Sequence, residues 1–120
     1  MRALLALTLM CSAALAQAAV VTREIPYQDD DGNRLVGYYA YDDALDGKRP
    51  GIVVVHEWWG LNDYAKRRAR DLAALGYKAL AIDMYGDGKH TEHPQDAQAF
   101  MAAAMKNPAA AAARFDAGLE

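Results

Sequence analysis

The chain has 120 residues, with 13 basic and 16 acidic side chains, a formal charge of −3, 53% hydrophobic residues and one cysteine. That length holds one domain at most, and the acidic balance argues against phosphate-backbone binding, so no nucleic-acid partner is expected. A lone cysteine also excludes a disulfide within the chain.

Residues 1–19 read as a secretory signal. Arg2 supplies the positive start, Ala3 to Leu15 an apolar stretch, and Ala16-Gln17-Ala18 a small-x-small cleavage site. The apolar stretch is shorter than the ~20 residues of a spanning helix. Cleavage is therefore expected, leaving an exported, periplasmic or secreted product with no membrane association. Cys11 follows Met10, where lipoprotein processing wants a small residue, and reads as filler within the signal. The mature chain then starts at Ala19 or Val20 without a cysteine.

Thr22 to Tyr27 and Arg34 to Tyr41 are rich in β-branched and aromatic residues and flank the turn-forming Asp29-Asp30-Asp31-Gly32-Asn33, which predicts an antiparallel hairpin. The acidic cluster lacks the ligand order and closing glutamate of a calcium loop, so a turn is the better reading. Asp42 to Pro50 is a loop. Ile52 to Val55 is a continuous β-branched run of the kind buried on both faces of a parallel sheet.

A helix follows, with Asn62 as N-cap and Gly76 as its stop. Leu61, Tyr64, Ala65, Ala69, Leu72 and Ala73 recur at helical spacing and form its packed face, while Lys66, Arg67 and Arg70 fall on the side expected to face solvent. Tyr77 to Ile82 returns as a strand ending at Asp83, an interval suited to a right-handed βαβ unit. Met84 to His93 is a loop. Pro94 opens a helix whose stripe of Ala97, Phe100, Met101, Ala104 and Met105 is expected in the core, ending near Asn107-Pro108, and Ala109 to Leu119 is a further helical segment. The order is that of the first half of a larger α/β domain.

His56-Glu57-Trp58-Trp59-Gly60 begins like a zinc-protease motif, but the second histidine is missing and the segment follows a strand. His90 and His93, near Glu92 and Asp96, have metal-like spacing without a wider ligand cluster, and no metal is expected. Gly86-Asp87-Gly88-Lys89-His90-Thr91 lacks the glycine pattern of phosphate loops and reads as a turn, which disfavours a nucleotide-binding half-domain.

Glu57 carries the most weight. A carboxylate at the mouth of a parallel sheet, between an apolar strand and two indoles, is costly to hold there without a partner. The bland alternative is a surface glutamate near the start of the next helix, just as Trp58 and Trp59 could serve only as core filler. Beyond residue 19 there is neither serine nor cysteine, so the usual nucleophiles of acyl transfer are missing.

Gly51 to Asn62 and Leu75 to Gly86, at this separation, resemble the dienelactone hydrolase family of the α/β-hydrolase superfamily. The resemblance runs from about Val21 to Glu120 and covers the N-terminal half of a family member. It implies a partial α/β-hydrolase fold: an antiparallel N-terminal hairpin followed by a parallel βαβ unit and helices. It matches Glu57 to the glutamate that helps generate a cysteine thiolate, and the Trp58 N–H to an oxyanion donor.

The resemblance also implies that the Gly-x-Cys-x-Gly elbow, the acidic triad member and the catalytic histidine lie downstream; His56, His90 and His93 do not match that histidine. Dienelactone hydrolases proper place a carboxylate-binding arginine where this chain has Asp87, so the substrate is expected to be another small ester or lactone. The third strand of such a sheet lies beside the nucleophile-bearing fifth, which makes Ile52 to His56 an open edge in these 120 residues alone.

Two readings follow. In the first, the chain is the N-terminal part of an exported hydrolase that needs no cofactor, with Glu57 as activating carboxylate, Trp58 as backbone oxyanion donor, and Trp59 and Tyr85 against the substrate. In the second, a short non-catalytic binding protein uses Trp58, Trp59 and Tyr85 as an apolar pocket. Oligomeric state is not legible.

Overall fold

The computed structural model describes residues 19–120; the predicted signal lies outside them except for Ala19. Four strands and three helices follow one another: β1 (Val20–Gln28), β2 (Arg34–Asp42), β3 (Gly51–Val55), α1 (Asp63–Ala74), β4 (Lys78–Ile82), α2 (Pro94–Met105) and α3 (Pro108–Ala117). Among the described residues no helix is long and apolar enough to cross a membrane.

β1 and β2 form the predicted hairpin, paired antiparallel from Val20 opposite Asp42 to Gln28 opposite Arg34. The acidic cluster is the turn itself. The Asp29 carboxylate accepts hydrogen bonds from the N–H groups of Asp31 (3.1 Å) and Asn33 (2.8 Å) and from the Asn33 side-chain amide (2.9 Å to the nearer oxygen). Arg114 of α3 brings Nε to 3.6 Å of the same carboxylate. Burial pushes the Asp29 carboxyl up, but the Asn33 and Asp31 hydrogen bonds and the Arg114 charge outweigh it, so its pKa lies below the ordinary value.

The sheet order is β1-β2-β4-β3. β4 is the shared strand: β2 pairs with it antiparallel through Tyr38, Tyr39 and Ala40, and β3 pairs with it parallel from Gly51 opposite Lys78 to Val55 opposite Ile82. α1 connects the parallel pair. Asn62 caps it by accepting the Ala65 N–H at 3.2 Å. At the other end Gly76, at φ +96°, turns the chain back while its N–H bonds the Ala73 carbonyl. α1 lays Ala65, Ala69 and Ala73 on Ala40, Ala79 and Ala81, all buried. Alanine on both surfaces lets helix and sheet approach closely, so larger side chains there would overpack the contact.

Three expectations about packing are corrected. The β3 run is not buried on both faces: Ile52, Val53 and Val54 are half-buried and Val55 is 52% exposed, because β3 has a neighbour on one side only. Lys66 and Arg70 are not purely solvated; both lie over the Tyr38 ring, Arg70 donates to its hydroxyl at 3.0 Å, and Lys66 reaches Glu24. Long basic side chains can lay their stems on apolar surface and still expose the charge. On α2, Ala97 is buried, but Met101 and Met105 are 42% and 71% exposed, since α2 touches little beyond α3 and the loop after β4.

Candidate active site

β3 and β4 are adjacent and parallel, so their C-terminal ends open at the same edge of the sheet, the usual place for chemistry in α/β proteins. His56 to Gly60 leaves β3 there, and Asp83 to Gly88 leaves β4. Hydrogen bonds between main chain and side chains join the two segments.

Asp83 organises the second. It is fully buried, and its carboxylate accepts four N–H groups: Tyr85 (3.1 Å) and Gly86 (2.8 Å) on one oxygen, Val36 (3.0 Å) and Gly88 (2.7 Å) on the other. Such a set replaces the water a buried carboxylate loses. To wrap around it the chain runs through three successive left-handed residues, Gly86, Asp87 and Gly88, at φ +90°, +53° and +66°. Glycine flanks Asp87 because this conformation carries a steric cost for other residues. The Tyr27 hydroxyl accepts the Asp83 N–H at 3.1 Å, and burial raises the Tyr27 pKa.

His56 bridges the two strand ends. Its Nε2 accepts the Met84 N–H at 3.1 Å and its Nδ1 lies 2.7 Å from the Glu57 carbonyl oxygen, which fits the neutral ring protonated on Nδ1. Burial lowers its pKa, against the opposing pull of the Glu57 carbonyl and the Asp83 charge. The Tyr85 ring meets His56 edge-on, with centroids 4.8 Å apart, and the Tyr85 hydroxyl donates to the Trp58 carbonyl at 2.9 Å. Burial raises the Tyr85 pKa. Gly60 closes the turn after β3: its N–H bonds the Glu57 carbonyl at 3.1 Å, and at φ +89° a Cβ would run into the Lys89 carbonyl.

The four residues singled out in the sequence are not gathered into one pocket. Glu57 lies on a groove of about 300 Å³ beside β3 and α1, with His56, Val54, Tyr64 and Arg68. It is exposed rather than walled in by the indoles, because β3 has no strand on that side. The Trp58 and Trp59 rings contact each other with centroids 4.9 Å apart and planes tilted by 58°, and Trp58 is 37% exposed. Tyr85 faces a separate crevice with Phe100 and Arg114. Asp87 pairs with Arg34 at 3.4 Å, both well exposed.

His90, with its ring on the Gly88 carbonyl, and Thr91, bonded to Asp96, belong to the loop's own structure. The linking roles of His56 and Asp83 were not foreseen. For Asp83, a strand-ending aspartate followed by two closely spaced glycines was the available signal.

The strand order and the crossover are those of the opening of an α/β-hydrolase sheet. The profile of the dienelactone hydrolase family matches residues 35–120, and the chain belongs to that family. Among curated relatives, a protein of Escherichia coli (strain K12) named as a hydrolase fragment, YghX, is 43% identical over 65 residues, 53% of this chain and 56% of that one. A Salmonella typhi protein named as a carboxymethylenebutenolidase is 39% identical over 61 residues, 51% of this chain and 22% of its own length.

Among solved structures, a dienelactone hydrolase-like promiscuous phosphotriesterase from metagenomic libraries superposes with a TM-score of 0.77 at 37% identity. That match covers 83% of this chain and 41% of that one. A protein designated m3DLH gives 0.73 at 40% identity, over 84% and 43%. The chain thus spans about half the length of the first of these relatives and less than half of the others.

Proposed function

We propose that the protein carrying this chain is an exported hydrolase of a small carboxylic ester or lactone, and that the chain supplies the activating carboxylate and one oxyanion donor. The observation that carries the reading is the position of Glu57 and the Trp58 N–H at the C-terminal end of β3, in a chain of the dienelactone hydrolase family.

In this reading a cysteine outside the chain gives its proton up with the help of Glu57, and the thiolate attacks the substrate carbonyl carbon. Charge builds on the carbonyl oxygen, where the Trp58 N–H stabilises it. Collapse expels the alkoxide, which takes up a proton, and leaves a thioester; water cleaves that to the free acid and restores the thiol. No cofactor enters. Trp59 and Tyr85 border the substrate. Asp87, paired with Arg34, offers no cation for a substrate carboxylate, which favours an uncharged ester or lactone.

The test is to express the intact gene product, weigh the secreted form, and assay it on an aryl acetate and a small lactone. Hydrolysis that falls about 100-fold or more in kcat for Glu57→Gln supports the reading, on the scale of a lost general base. A product of 120 residues or fewer that folds, binds small apolar ligands and hydrolyses nothing would favour the non-catalytic reading.

A further inference from the structure

We infer that His56 is a positioning residue for the oxyanion donor, fixing the direction of the Trp58 N–H by holding the carbonyl at the other end of the same peptide unit. The inference rests on the reading of that N–H as a donor to the substrate oxygen. A peptide unit is planar and trans, so the Glu57 C=O and the Trp58 N–H point in opposite directions along one rigid plate. Whatever pins the carbonyl aims the amide.

Two donors pin it: His56 Nδ1 at 2.7 Å and the Gly60 N–H at 3.1 Å. The next carbonyl, that of Trp58, is held by the Tyr85 hydroxyl at 2.9 Å. The plate is therefore held at its carbonyl end by two donors, and the Tyr85 bond holds the plate that follows it. The Gly60 bond belongs to the turn and moves with it, whereas His56 is referenced to the segment that leaves β4, because its Nε2 accepts the Met84 N–H. Through His56 the direction of the amide is measured against the segment that follows β4 rather than against its own loop alone.

This use of the ring sets its protonation state. An acceptor at Nε2 and a donor at Nδ1 describe one neutral tautomer. A second proton on Nε2 would face the Met84 N–H, and the link to the segment after β4 would break. The groups facing the ring are Asp83 from the end of β4, the Tyr85 ring from the following loop, Glu57 beside it in the chain, and Arg68 of α1 across the shared groove.

The experiment compares His56→Phe and His56→Asn in the intact gene product. Phenylalanine keeps a ring against Tyr85 and removes both hydrogen bonds; asparagine carries an amide N–H where Nδ1 sits. With aryl acetate, His56→Phe is expected to lower kcat about 10- to 100-fold, since misplacing a reacting group by ~1 Å costs about 100-fold and losing an oxyanion donor ~100- to 1,000-fold. KM should stay within about twofold, as expected for a contact made only in the transition state. His56→Asn, which restores the donor to the Glu57 carbonyl without the link to Met84, should recover part of the loss.

Residual dipolar couplings give a second readout, independent of turnover: the Trp58 N–H vector should turn in His56→Phe and turn part of the way back in His56→Asn. An unmoved vector, an unchanged kcat in His56→Phe, or a folded His56→Asn as slow as His56→Phe would each overturn the inference. A wild type that hydrolyses neither substrate while the vector still turns and partly returns would sink the hydrolase reading alone and leave the positioning of the peptide standing.

Discussion

The Tyr85 hydroxyl and the Trp58 carbonyl oxygen lie 2.9 Å apart, so a side chain from the loop after β4 holds the backbone of the turn after β3. The parallel ladder stops at Val55 and Ile82, and between there and the isolated Gly60–His90 bridge this bond, with that of His56, joins the two segments. Tyr85→Phe keeps the ring and removes the donor. A loss of about 0.5 kcal/mol is expected, the low end of the net worth of a hydrogen bond because this one is exposed, read as a lower urea midpoint at unchanged slope.

Asp83 should be far less tolerant. Asp83→Ala leaves four N–H groups without their acceptor, and each unsatisfied buried donor costs about 1–3 kcal/mol. The variant is expected to be unfolded or insoluble in the intact gene product. Asp83→Asn retains one acceptor oxygen but turns an NH₂ toward two of the donors, so an intermediate loss of about 2–4 kcal/mol is expected. Equal stabilities of Asp83→Asn and wild type by urea titration would contradict this account.

Gly60→Ala meets two penalties at once: φ of +89° and a Cβ aimed at the Lys89 carbonyl. The backbone term alone is of order 1–2 kcal/mol, and the clash must be relieved by parting the Gly60 and His90 bridge. The expected result is a thermal midpoint lowered by several degrees, together with a weaker response of Trp58 and Trp59 fluorescence to ligand. Gly32→Ala, in the outer hairpin turn where a Cβ meets nothing, carries the conformational penalty without the clash and is the control.

Acid should destabilise the fold in two steps. The folded His56 has a pKa below its ordinary 6.5, so the stability tied to its neutral form is complete above that value and is lost as pH falls through the folded pKa. Asp29 is also depressed, below its ordinary 3.8; its contribution is present above that value and disappears as pH falls further. Both signs agree. Urea midpoints measured from pH 8 to pH 4 should show the upper step in wild type and not in His56→Phe.

Expressed alone, the described residues should be poorly soluble. β3 offers an unpaired strand edge, with Val55 52% exposed and Met105, Leu75 and Leu119 more open still; open apolar edges of this kind pair with other chains. Val55→Lys is expected to raise the soluble fraction in a sedimentation assay. A sharp cooperative melt from a soluble wild-type monomer would contradict the expectation.

The local parts of the fold were legible because local chemistry decides them. Asn62 and Gly76 bracket α1 as predicted, and the Asp29 turn follows from aspartate's habit of bonding its own backbone. The sheet order depends on β2 meeting β4, whose paired residues are about 40 positions apart, and no periodicity encodes that meeting. The same holds at the site. Glu57 at a strand end could be read from the run that precedes it, but the bonds of His56 to Met84 and of Asp83 to Val36 span 28 and 47 residues. The exposure of Met101 and Met105 was misread for a related reason: helical spacing marks an apolar face without saying what covers it.

The strand order also divides the molecule into two locally coded pieces, the β1–β2 hairpin and the β3-α1-β4 unit. Their only ladder is three residues long, Tyr38 to Ala40 against Ala79 to Ala81. Such a short seam would shear easily if bare, but α1 crosses it and lays its alanines on both sides. The helix therefore acts as a clasp. A bulky residue at Ala69, which is fully buried, would pry the pieces apart, and the site at the ends of β3 and β4 would loosen with them, because Asp83 is tied to Val36 and Tyr27 of the hairpin.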